Sequence, residues 1–222
     1  MKPKRLCFYG VTDDSRDLLA QLKRIEEALK GGLSILQLRK KHMAFEEYVS
    51  WGRKVKELCD TYGVPLLIND SPEVCLACSA RGVHLGQKDG DLLKARELLG
   101  KEAVIGATAH TLLEALEAEK KGADYLGVGA AFGSRTKWDA KAIDRKEYLR
   151  ITQKVSIPVV AIGGICEENL SLLRGLGLTG AAFVSGLFSL PQEEIAPTAQ
   201  RLKKQCASVF MSKGGKNESK TN

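Results

Sequence analysis

Residues 157–164 read Ile-Pro-Val-Val-Ala-Ile-Gly-Gly, a short apolar run that ends in two glycines. The run is rich in β-branched residues and has the length of a buried strand, so it predicts a strand over residues 158–162. A longer amphipathic stretch with the composition of a helix follows at residues 167–176. This unit of one strand and one helix indicates the fold, because it recurs along the chain.

The strand-and-helix unit repeats at intervals of about 25 residues, and eight strand-like runs are present. Near-continuous apolar strands that alternate with helices predict a parallel sheet covered by helices, which is the α/β class. Eight units in 222 residues favour closure of the sheet into a single (β/α)₈ TIM barrel over residues 1–210. An open Rossmann-like sheet is the alternative, but its Gly-x-Gly-x-x-Gly motif is missing after the first run. The predicted strands are residues 6–11, 34–38, 65–68, 82–85, 103–107, 125–128, 158–162 and 181–184, and the predicted helices are residues 14–30, 45–62, 91–99, 111–121, 167–176 and 192–207.

The composition, 44% hydrophobic and 27% charged residues, is that of an ordinary soluble domain. No apolar stretch reaches the ~20 residues that cross a bilayer, and the basic start lacks the apolar region of a signal peptide, so a cytoplasmic protein is predicted. The formal charge is +7, but residues 201–222 hold six basic residues and one acid and so carry +5 of it. Because residues 212–222 are polar and rich in Gly and Lys, we expect a disordered tail over residues 211–222. No basic stripe interleaved with aromatic residues is present, so no nucleic-acid partner is expected.

The six cysteines are scattered along the chain, which is typical of reduced thiols in a cytosolic protein. Cys75 and Cys78 form a Cys-x-x-Cys pair, the spacing of a redox motif or of half a zinc site. No second pair accompanies them, and Ser71 with Pro72 predicts the start of a helix just upstream. The spacing then places both thiols on one buried helix face, and a redox role for the pair is left open.

Polar residues and glycines follow the predicted strands at corresponding positions. In a parallel barrel the carboxyl ends of all strands meet at one rim, where such enzymes build their active sites. Each residue alone has an ordinary explanation, such as a turn or a surface contact, but together they predict one site. In strand order, from the second to the eighth, they are Gln37, Arg39 and Lys41; Asn69 and Asp70; Gln87 and Asp89; Thr108 and His110; Ser134, Thr136 and Lys137; Gly163 and Gly164; Ser185 and Gly186.

The residue types at this rim predict the binding of phosphate groups. The glycines after the seventh and eighth strands fall where barrels commonly hold a phosphate on backbone N–H groups. The cations Arg39, Lys41 and Lys137 predict a second, more strongly charged anion site. Asp70 and Asp89 among phosphates make sense as Mg²⁺ ligands, because Mg²⁺ often bridges carboxylates to substrate phosphates. Two phosphate sites predict two phosphorylated small-molecule substrates.

Six short motifs stand at these strand ends in a fixed order. They are Gln37-Leu38-Arg39-x-Lys41, Ile68-Asn69-Asp70, Gly82-Val83-His84-Leu85-Gly86-Gln87-x-Asp89, Gly106-x-Thr108-x-His110, Ser134-x-Thr136-Lys137 and Ile162-Gly163-Gly164-Ile165. In these motifs the chain resembles the thiamine phosphate synthase (thiamine-phosphate pyrophosphorylase) family from Phe8 to Ser185. The resemblance implies a Mg²⁺-dependent transferase that condenses 4-amino-5-hydroxymethyl-2-methylpyrimidine diphosphate with 4-methyl-5-(2-hydroxyethyl)thiazole phosphate, or its carboxylated form. Thiamine phosphate and diphosphate would be the products, formed through a dissociative pyrimidine carbocation.

The resemblance also implies a role for each matching residue. The residues implied to bind the pyrimidine diphosphate are Gln37, Arg39, Lys41, Asn69, Thr108 and Lys137, and those implied to bind Mg²⁺ are Asp70 and Asp89. The residues implied to hold the thiazole phosphate are Ser134, Thr136, Gly163, Gly164, Val184 and Ser185. No protein nucleophile is required, so catalysis is expected from charge neutralisation and positioning. The expected catalytic residues are Arg39, Lys41, Lys137 and Thr108, of which Thr108 stands where the family often has Ser.

Two other functions are left open by the sequence. A thiazole tautomerase of the same superfamily resembles the synthase over most of the barrel and would use His110 as an acid or base. Such an isomerase should not need the set of Asp70, Asp89 and Lys41. A non-enzymatic barrel that binds phosphate ligands is the other alternative, since a fold does not fix a function. The sequence decides neither the form of the thiazole nor the oligomeric state, and a homo-oligomer is left open.

Overall fold

The structure, a computed structural model, describes residues 3–133 and 142–211. Its strands are β1 (Phe8–Val11), β2 (Ile35–Leu38), β3 (Leu66–Asn69), β4 (Gly82–Leu85), β5 (Val104–Ala109), β6 (Tyr125–Gly129), β7 (Val159–Ile162) and β8 (Gly180–Phe183). They pair in parallel in chain order, and β1 also pairs with β8, with Tyr9 opposite Ala182, so the barrel is closed. The predicted TIM barrel is confirmed, and the open sheet is excluded.

Helices cover the outside of the barrel. Within the described ranges they are α1 (Leu18–Lys30), α2 (Phe45–Thr61), α3 (Pro72–Ala77), α4 (Leu92–Leu99), α5 (Leu112–Lys120), α6 (Arg145–Lys154), α7 (Ser185–Phe188) and α8 (Gln192–Phe210), with 3₁₀ turns at Pro3–Leu6 and Leu170–Leu173. Capping side chains explain where several helices begin. Asp17 accepts a hydrogen bond from the Ala20 N–H at the start of α1, and Ser71 accepts one from the Val74 N–H at the start of α3.

The segment after β7 differs from the prediction. The sequence predicts a helix over residues 167–176, but the structure has a single 3₁₀ turn there, Leu170–Leu173. The Asn169 side chain accepts a hydrogen bond from the Cys166 N–H and donates one to the Gly164 carbonyl. Such local bonds from Asn to the backbone compete with helix formation, so the chain forms a tight loop there.

Buried side chains form two cores, one on each side of the sheet. The outer core fills the space between strands and helices. The inner core lies inside the barrel, where aliphatic side chains surround two large aromatic ones, Tyr9 of β1 and Tyr125 of β6. Both tyrosines are fully buried, so their hydroxyl groups must find partners within the protein. The centre of the barrel is therefore partly polar.

Cys75 in α3 and Cys78, which follows α3, are both buried, as the sequence predicts. Burial raises the pKa of the Cys75 thiol to about 12, so this thiol is protonated at neutral pH. A protonated thiol is a poor nucleophile, and the structure therefore supports the packing role of the pair. All six cysteines are free thiols.

The length of the helices and the end of α8 bear on the predictions about membranes and the C-terminal tail. No helix within the described ranges is long and apolar enough to cross a membrane. Helix α8 ends at Phe210, and the predicted tail, residues 211–222, lies outside the described residues apart from Met211. The predicted limits of the domain, residues 1–210, therefore stay a prediction.

Candidate active site

The carboxyl ends of the strands bring several of the predicted polar residues together. Gln37 lies in β2 and Asn69 ends β3, and both side chains are buried. The Gln37 amide nitrogen donates a hydrogen bond to Asn69 Oδ1 over 2.7 Å. Thr108 of β5 is half-buried, and its hydroxyl lies 3.0 Å from Nε2 of His84 in β4. His84 connects Thr108 to the other two residues through the centre of the barrel.

A continuous series of hydrogen bonds, which we call the interior chain, crosses the barrel from Thr108 to Asn69. It includes three side chains for which the sequence predicts no role, namely His84, Tyr125 and Tyr9. All of its distances fall within the ordinary range for hydrogen bonds. The links are Thr108 Oγ1 to His84 Nε2 (3.0 Å), His84 Nδ1 to the Tyr125 hydroxyl (2.8 Å), the Tyr125 hydroxyl to the Tyr9 hydroxyl (2.8 Å), the Tyr9 hydroxyl to Gln37 Oε1 (3.1 Å) and Gln37 Nε2 to Asn69 Oδ1 (2.7 Å).

Two strand glycines make room for the rings of the interior chain. Gly106 of β5 faces Tyr125, and a Cβ atom at this position would overlap the phenol ring. Gly127 of β6 faces His84, and a Cβ atom there would lie 3.0 Å from the imidazole Cε1. Glycine is otherwise unfavourable inside a strand, so these two positions mark where large side chains fill the barrel centre.

The interior chain is electrically neutral at neutral pH. Burial lowers the pKa of His84 to about 4, so its imidazole carries no charge at pH 7. Burial likewise raises the pKa of Tyr9 and of Tyr125 above the usual value for a phenol. A neutral imidazole donates one hydrogen bond, and so does a neutral phenol, so the bonds along this chain are linked to one another.

Three consecutive cations, Arg39, Lys40 and Lys41, follow β2, and the loop after β1 holds their backbone. The Thr12 hydroxyl donates to the Arg39 carbonyl over 3.3 Å and accepts from the Arg39 N–H over 3.0 Å. Asp14 accepts a hydrogen bond from the Lys41 N–H over 2.8 Å. Arg39 is half-buried and Lys41 is exposed, so both of these charged groups are accessible at the rim.

Lys40 has a different environment from its two neighbours, because its side chain is buried. Its ammonium group lies 4.3 Å from the centre of the Trp51 ring, a cation–π contact. It also donates to the carbonyl oxygens of Asp13 and Ser15 and to the side-chain oxygen of Gln21. Burial lowers the pKa of Lys40 to about 8. Through these hydrogen bonds Lys40 connects the loop after β1 to the segment that carries the two rim cations, Arg39 and Lys41.

The predicted metal ligands, Asp70 and Asp89, lie beside Gly86. A Cβ atom at Gly86 would overlap Oδ2 of Asp89 and lie 4.0 Å from Oδ1 of Asp70, so both carboxylates reach the same point of the backbone. Burial and, second, the nearby Asp89 carboxylate raise the pKa of Asp70. Two carboxylates in this relation suit a cation between them.

The number of ligands also fits Mg²⁺. Among the described residues, no group of three or more His, Cys, Asp and Glu side chains could hold a metal ion by itself. Mg²⁺ is commonly held by one or two protein carboxylates together with water and substrate phosphates. Asp70 and Asp89 provide such a pair, and Lys41 lies near enough to Asp70 to lower its pKa in part.

The loops after β6, β7 and β8 meet closely on the other side of the rim. Gly163 and Gly164 have φ angles of 103° and 66°, which other residues rarely adopt. A Cβ atom at Gly164 would overlap the carbonyl oxygen of Gly133. Val184 precedes the one-turn helix α7, and Ser185 begins it. Backbone that is bare of side chains suits the close approach of an anion.

Three predicted residues, Ser134, Thr136 and Lys137, lie outside the described residues. Their implied contacts with the two substrates stay predictions. The other predicted residues are divided between two parts of one rim. Amide and hydroxyl groups lie at the carboxyl ends of β2, β3 and β5, and the cationic and carboxylate groups lie in the loops after β2, β3 and β4. The glycine loops follow β7 and β8.

Comparison with known proteins shows which family this chain matches. Residues 8–187 match the family described as thiamine monophosphate synthase. The chain belongs to this family. A thiamine-phosphate synthase of Clostridium acetobutylicum is 45% identical over 207 residues, which cover 91% of this chain and 92% of that protein. One of Methanobrevibacter smithii is 42% identical over 191 residues, which cover 86% of this chain and 91% of that protein.

The solved structures agree with this family. The thiamine phosphate pyrophosphorylase of Pyrococcus furiosus matches with a TM-score of 0.84 at 35% identity, covering 93% of this chain and 98% of that one. A 3-hexulose-6-phosphate synthase matches with a TM-score of 0.67 at 14% identity, a likeness that concerns the fold alone. Membership of the thiamine monophosphate synthase family confirms the predicted family, and with it the predictions of thiamine phosphate synthase function and of a transferase.

Proposed function

We propose that this rim joins an aminopyrimidine diphosphate to a thiazole phosphate, plain or carboxylated, and releases diphosphate. The observation that carries the proposal is the division of the rim into a charged part, with Arg39, Asp70 and Asp89, and a glycine part, with Gly163 and Gly164. The charged part suits a diphosphate, and the glycine part suits a single phosphate. The two substrates would then meet over the barrel mouth.

The pyrimidine ring would lie on the polar groups at the barrel centre. Gln37, Asn69 and Thr108 are uncharged hydrogen-bonding residues, and the interior chain connects all three. Amide and hydroxyl groups suit a neutral ring with an amine and ring nitrogens. Arg39 and Lys41 would bind the attached diphosphate, and Lys137 is assigned to the same group from its motif. Ser134 and Thr136, with Val184 and Ser185, are assigned to the thiazole phosphate in the same way.

Asp70 and Asp89 would hold Mg²⁺ between the protein and the diphosphate. When bound, the ion supplies positive charge that favours departure of the diphosphate. The contribution of the chain is to keep the two carboxylates together beside Gly86, at the ends of neighbouring strands. The proposal of Mg²⁺ rests on this donor set and on the resemblance of the motifs.

The reaction needs no protein nucleophile. The bond between the pyrimidine methylene carbon and the diphosphate oxygen breaks, and the oxygen keeps the electron pair. The methylene cation is stabilised by the ring, and the lone pair of the thiazole nitrogen then forms the new C–N bond. Arg39, Lys41 and Lys137 would stabilise the negative charge that develops on the leaving group. Holding both reactants in line contributes ~7 kcal/mol or more to catalysis of this type.

The test uses the purified full-length chain with both phosphorylated substrates and Mg²⁺, and measures thiamine phosphate. Arg39→Ala should lower kcat by ~10²-fold, because one group that stabilises the departing charge is lost. The control is Arg150→Ala, since Arg150 lies on the exposed surface of α6 and pairs with Glu147 over 3.0 Å. Chelating the Mg²⁺ should stop product formation.

Three outcomes would contradict the proposal. Wild-type turnover by Arg39→Ala would show that this cation does not act on the diphosphate. Isomerisation of the thiazole without coupling would indicate the tautomerase instead. His110, the residue that the tautomerase would use, is exposed, and its Nδ1 lies 3.1 Å from Glu114 Oε2. A protein that binds both phosphates without chemistry would be a non-enzymatic barrel.

The proposed partners are small molecules, and no nucleic acid or membrane partner is proposed. The cytoplasm is the proposed location, on the basis of the sequence. A homo-oligomer stays a prediction, and the molecular mass of the full-length protein in solution would test it.

A further inference from the structure

We propose that the interior chain has one fixed proton direction, and that His84, Tyr125 and Tyr9 thereby determine which hydrogen-bonding groups the substrate ring meets. The inference rests on the function proposed above, because it takes the ring of the aminopyrimidine diphosphate to lie between the two ends of this chain. The direction itself follows from the orientation of the Gln37 amide, whose Nε2 donates to Asn69 and whose Oε1 accepts from Tyr9.

The side-chain amide of Gln37 sets the direction in which the hydrogen bonds of the interior chain are donated. Gln37 Nε2 donates to Asn69, so Gln37 Oε1 is the atom that faces Tyr9 and accepts its hydroxyl proton. A phenol has one proton to donate, so the Tyr9 oxygen must accept in its other contact. That contact is the 2.8 Å hydrogen bond with Tyr125, and Tyr125 is therefore its donor.

The Tyr125 hydroxyl determines which nitrogen of the His84 imidazole is protonated. Because Tyr125 donates its proton to Tyr9, its oxygen must accept from Nδ1 of His84, which is therefore the protonated nitrogen. The ring is buried in a chain without a carboxylate, so it is neutral and Nε2 has a free lone pair. Thr108 must then donate its hydroxyl proton to Nε2. The Thr108 oxygen keeps only lone pairs for a ligand.

Burial means that no single link of the interior chain can reverse alone. Tyr9 and Tyr125 are fully buried, so no bulk water supplies another partner for either hydroxyl group. The Tyr125 and His84 rings occupy the space that Gly106 and Gly127 leave open, so each ring keeps its partners on both sides. The five links therefore change direction together or not at all.

The two ends of the interior chain differ as a result. The Thr108 end offers an acceptor, whereas the other end offers the remaining N–H of Gln37 and the amide group of Asn69 as donors. A 4-aminopyrimidine has the complementary pattern, because its amine donates and its ring nitrogens accept. A 4-oxopyrimidine of the same size has the opposite pattern at these atoms. The interior chain would therefore select the amine over the oxo form.

The acceptor at Thr108 also favours the chemical step. When the diphosphate leaves, positive charge spreads into the ring and onto the amine nitrogen, whose N–H becomes a stronger donor. A hydrogen bond from this N–H to Thr108 is then stronger in the transition state than in the ground state, so it raises kcat. His84, Tyr125 and Tyr9 act through Thr108 and are positioning residues.

The first experiment reads the tautomer of His84 directly. The full-length protein has three histidines, so nitrogen-15 NMR of their rings is simple, and His84→Gln assigns the signals. At pH 7 we expect a protonated Nδ1 and an unprotonated Nε2. The opposite tautomer, or a doubly protonated ring, overturns the proposal whatever the substrates of the enzyme are.

The second experiment compares Tyr125→Phe with Tyr148→Phe. Each variant loses one fully buried hydroxyl group, but that of Tyr148 donates to the Val128 carbonyl over 2.8 Å and lies outside the interior chain. The measured quantities are kcat and KM for the aminopyrimidine diphosphate and for its 4-oxo analogue. The wild type should prefer the amine by ~10²-fold or more in kcat/KM, as for mismatched buried polar groups.

The expected effect is specific to the interior chain. In Tyr125→Phe the preference should fall ~10-fold, mainly through kcat. His84 can then carry its proton on Nε2 and donate it to Thr108, so the Thr108 hydroxyl can donate its own proton to the substrate. Tyr148→Phe should keep the wild-type preference. A folded Tyr125→Phe protein with an unchanged preference overturns the proposal.

Two further outcomes are decisive as well. If Tyr125→Phe does not fold, Thr108→Val is measured instead, since it keeps the shape and removes the acceptor; an unchanged preference in that variant also overturns the proposal. If the wild type makes no thiamine phosphate from either pyrimidine, the proposed function fails. The NMR result then still decides the direction of the chain.

Discussion

Three adjacent cations after β2 show how strongly the environment of a single residue depends on the direction of its side chain. Arg39 and Lys41 are accessible at the rim, whereas Lys40 is buried against the Trp51 ring. The Lys40 ammonium group has three oxygen acceptors for its three protons, and all of them lie in the loop after β1 or in α1. Lys40 therefore connects that loop to the segment that presents the two rim cations.

Lys40 should make stability depend on pH. Its pKa in the folded protein is about 8, below the ordinary lysine value of 10.5, because burial disfavours its charge. Between these two values the unfolded chain binds more protons than the folded one, so this group adds stability as the pH rises. Below about pH 8 the lysine is charged in both the folded and the unfolded state, so it does not make the free energy of unfolding depend on pH.

The measurement is urea unfolding of the wild type and Lys40→Met from about pH 7 to about pH 10. Above pH 8 the free energy of unfolding of the wild type should increase relative to that of Lys40→Met. Lys154→Met, at the exposed end of α6, serves as the control and should follow the wild type. Parallel curves for wild type and Lys40→Met would contradict the assigned pKa.

Which site residues the sequence can predict depends on how local their signal is. Asn69 and Asp70 stand directly after an apolar run, and Thr108 lies within three residues of Gly106, so short motifs reveal them. Tyr9 and Tyr125 are 116 residues apart, and a buried tyrosine has the same apolar neighbours whether or not its hydroxyl is used. Their connection depends on the register of the closed barrel, which no local pattern contains.

Strands and helices of this chain differ in how clearly the sequence predicts them. All eight strands are buried on both faces, so each is a continuous apolar run, and all eight are predicted to within a few residues. Helix α6 is absent from the predicted helices, since it is largely polar and Tyr148 and Ile151 are the residues it buries. The predicted helix at 167–176 is wrong because Asn169 bonds to the loop before it.

Asn169 should affect one substrate more than the other. Its amide holds Gly164 and Cys166, which belong to the glycine loop proposed for the thiazole phosphate. Asn169→Ala loses two hydrogen bonds worth about 1 kcal/mol each, so KM for the thiazole phosphate should rise by up to ~30-fold. Asn169→Asp keeps the acceptor for the Cys166 N–H and should have a smaller effect. An equal rise in KM for the pyrimidine diphosphate would instead indicate a general loss of structure.

Closure of the barrel joins the first and last parts of the chain. β1 pairs with β8, and α8 packs against α1 across this junction. The side chains of Leu202 and Cys206 are fully buried in α8, and Val209 near its end is also buried. The far end of α8 is therefore part of the core, although it lies only a few residues from the predicted tail.

The position of this junction determines how far the chain can be shortened. Ending the chain after Met211 removes only the segment that the sequence predicts to be disordered, so turnover and Tm should stay at wild-type values. Ending it after Lys204 also removes Cys206 and Val209, whose burial should contribute about 2–4 kcal/mol, so Tm should fall by roughly 5–15 °C. Thermal unfolding and the product assay on both truncations check this. A loss of turnover or Tm in the longer protein would show that residues 212–222 belong to the fold, and an unchanged Tm in the shorter one would show that the last turns of α8 do not stabilise the closed barrel.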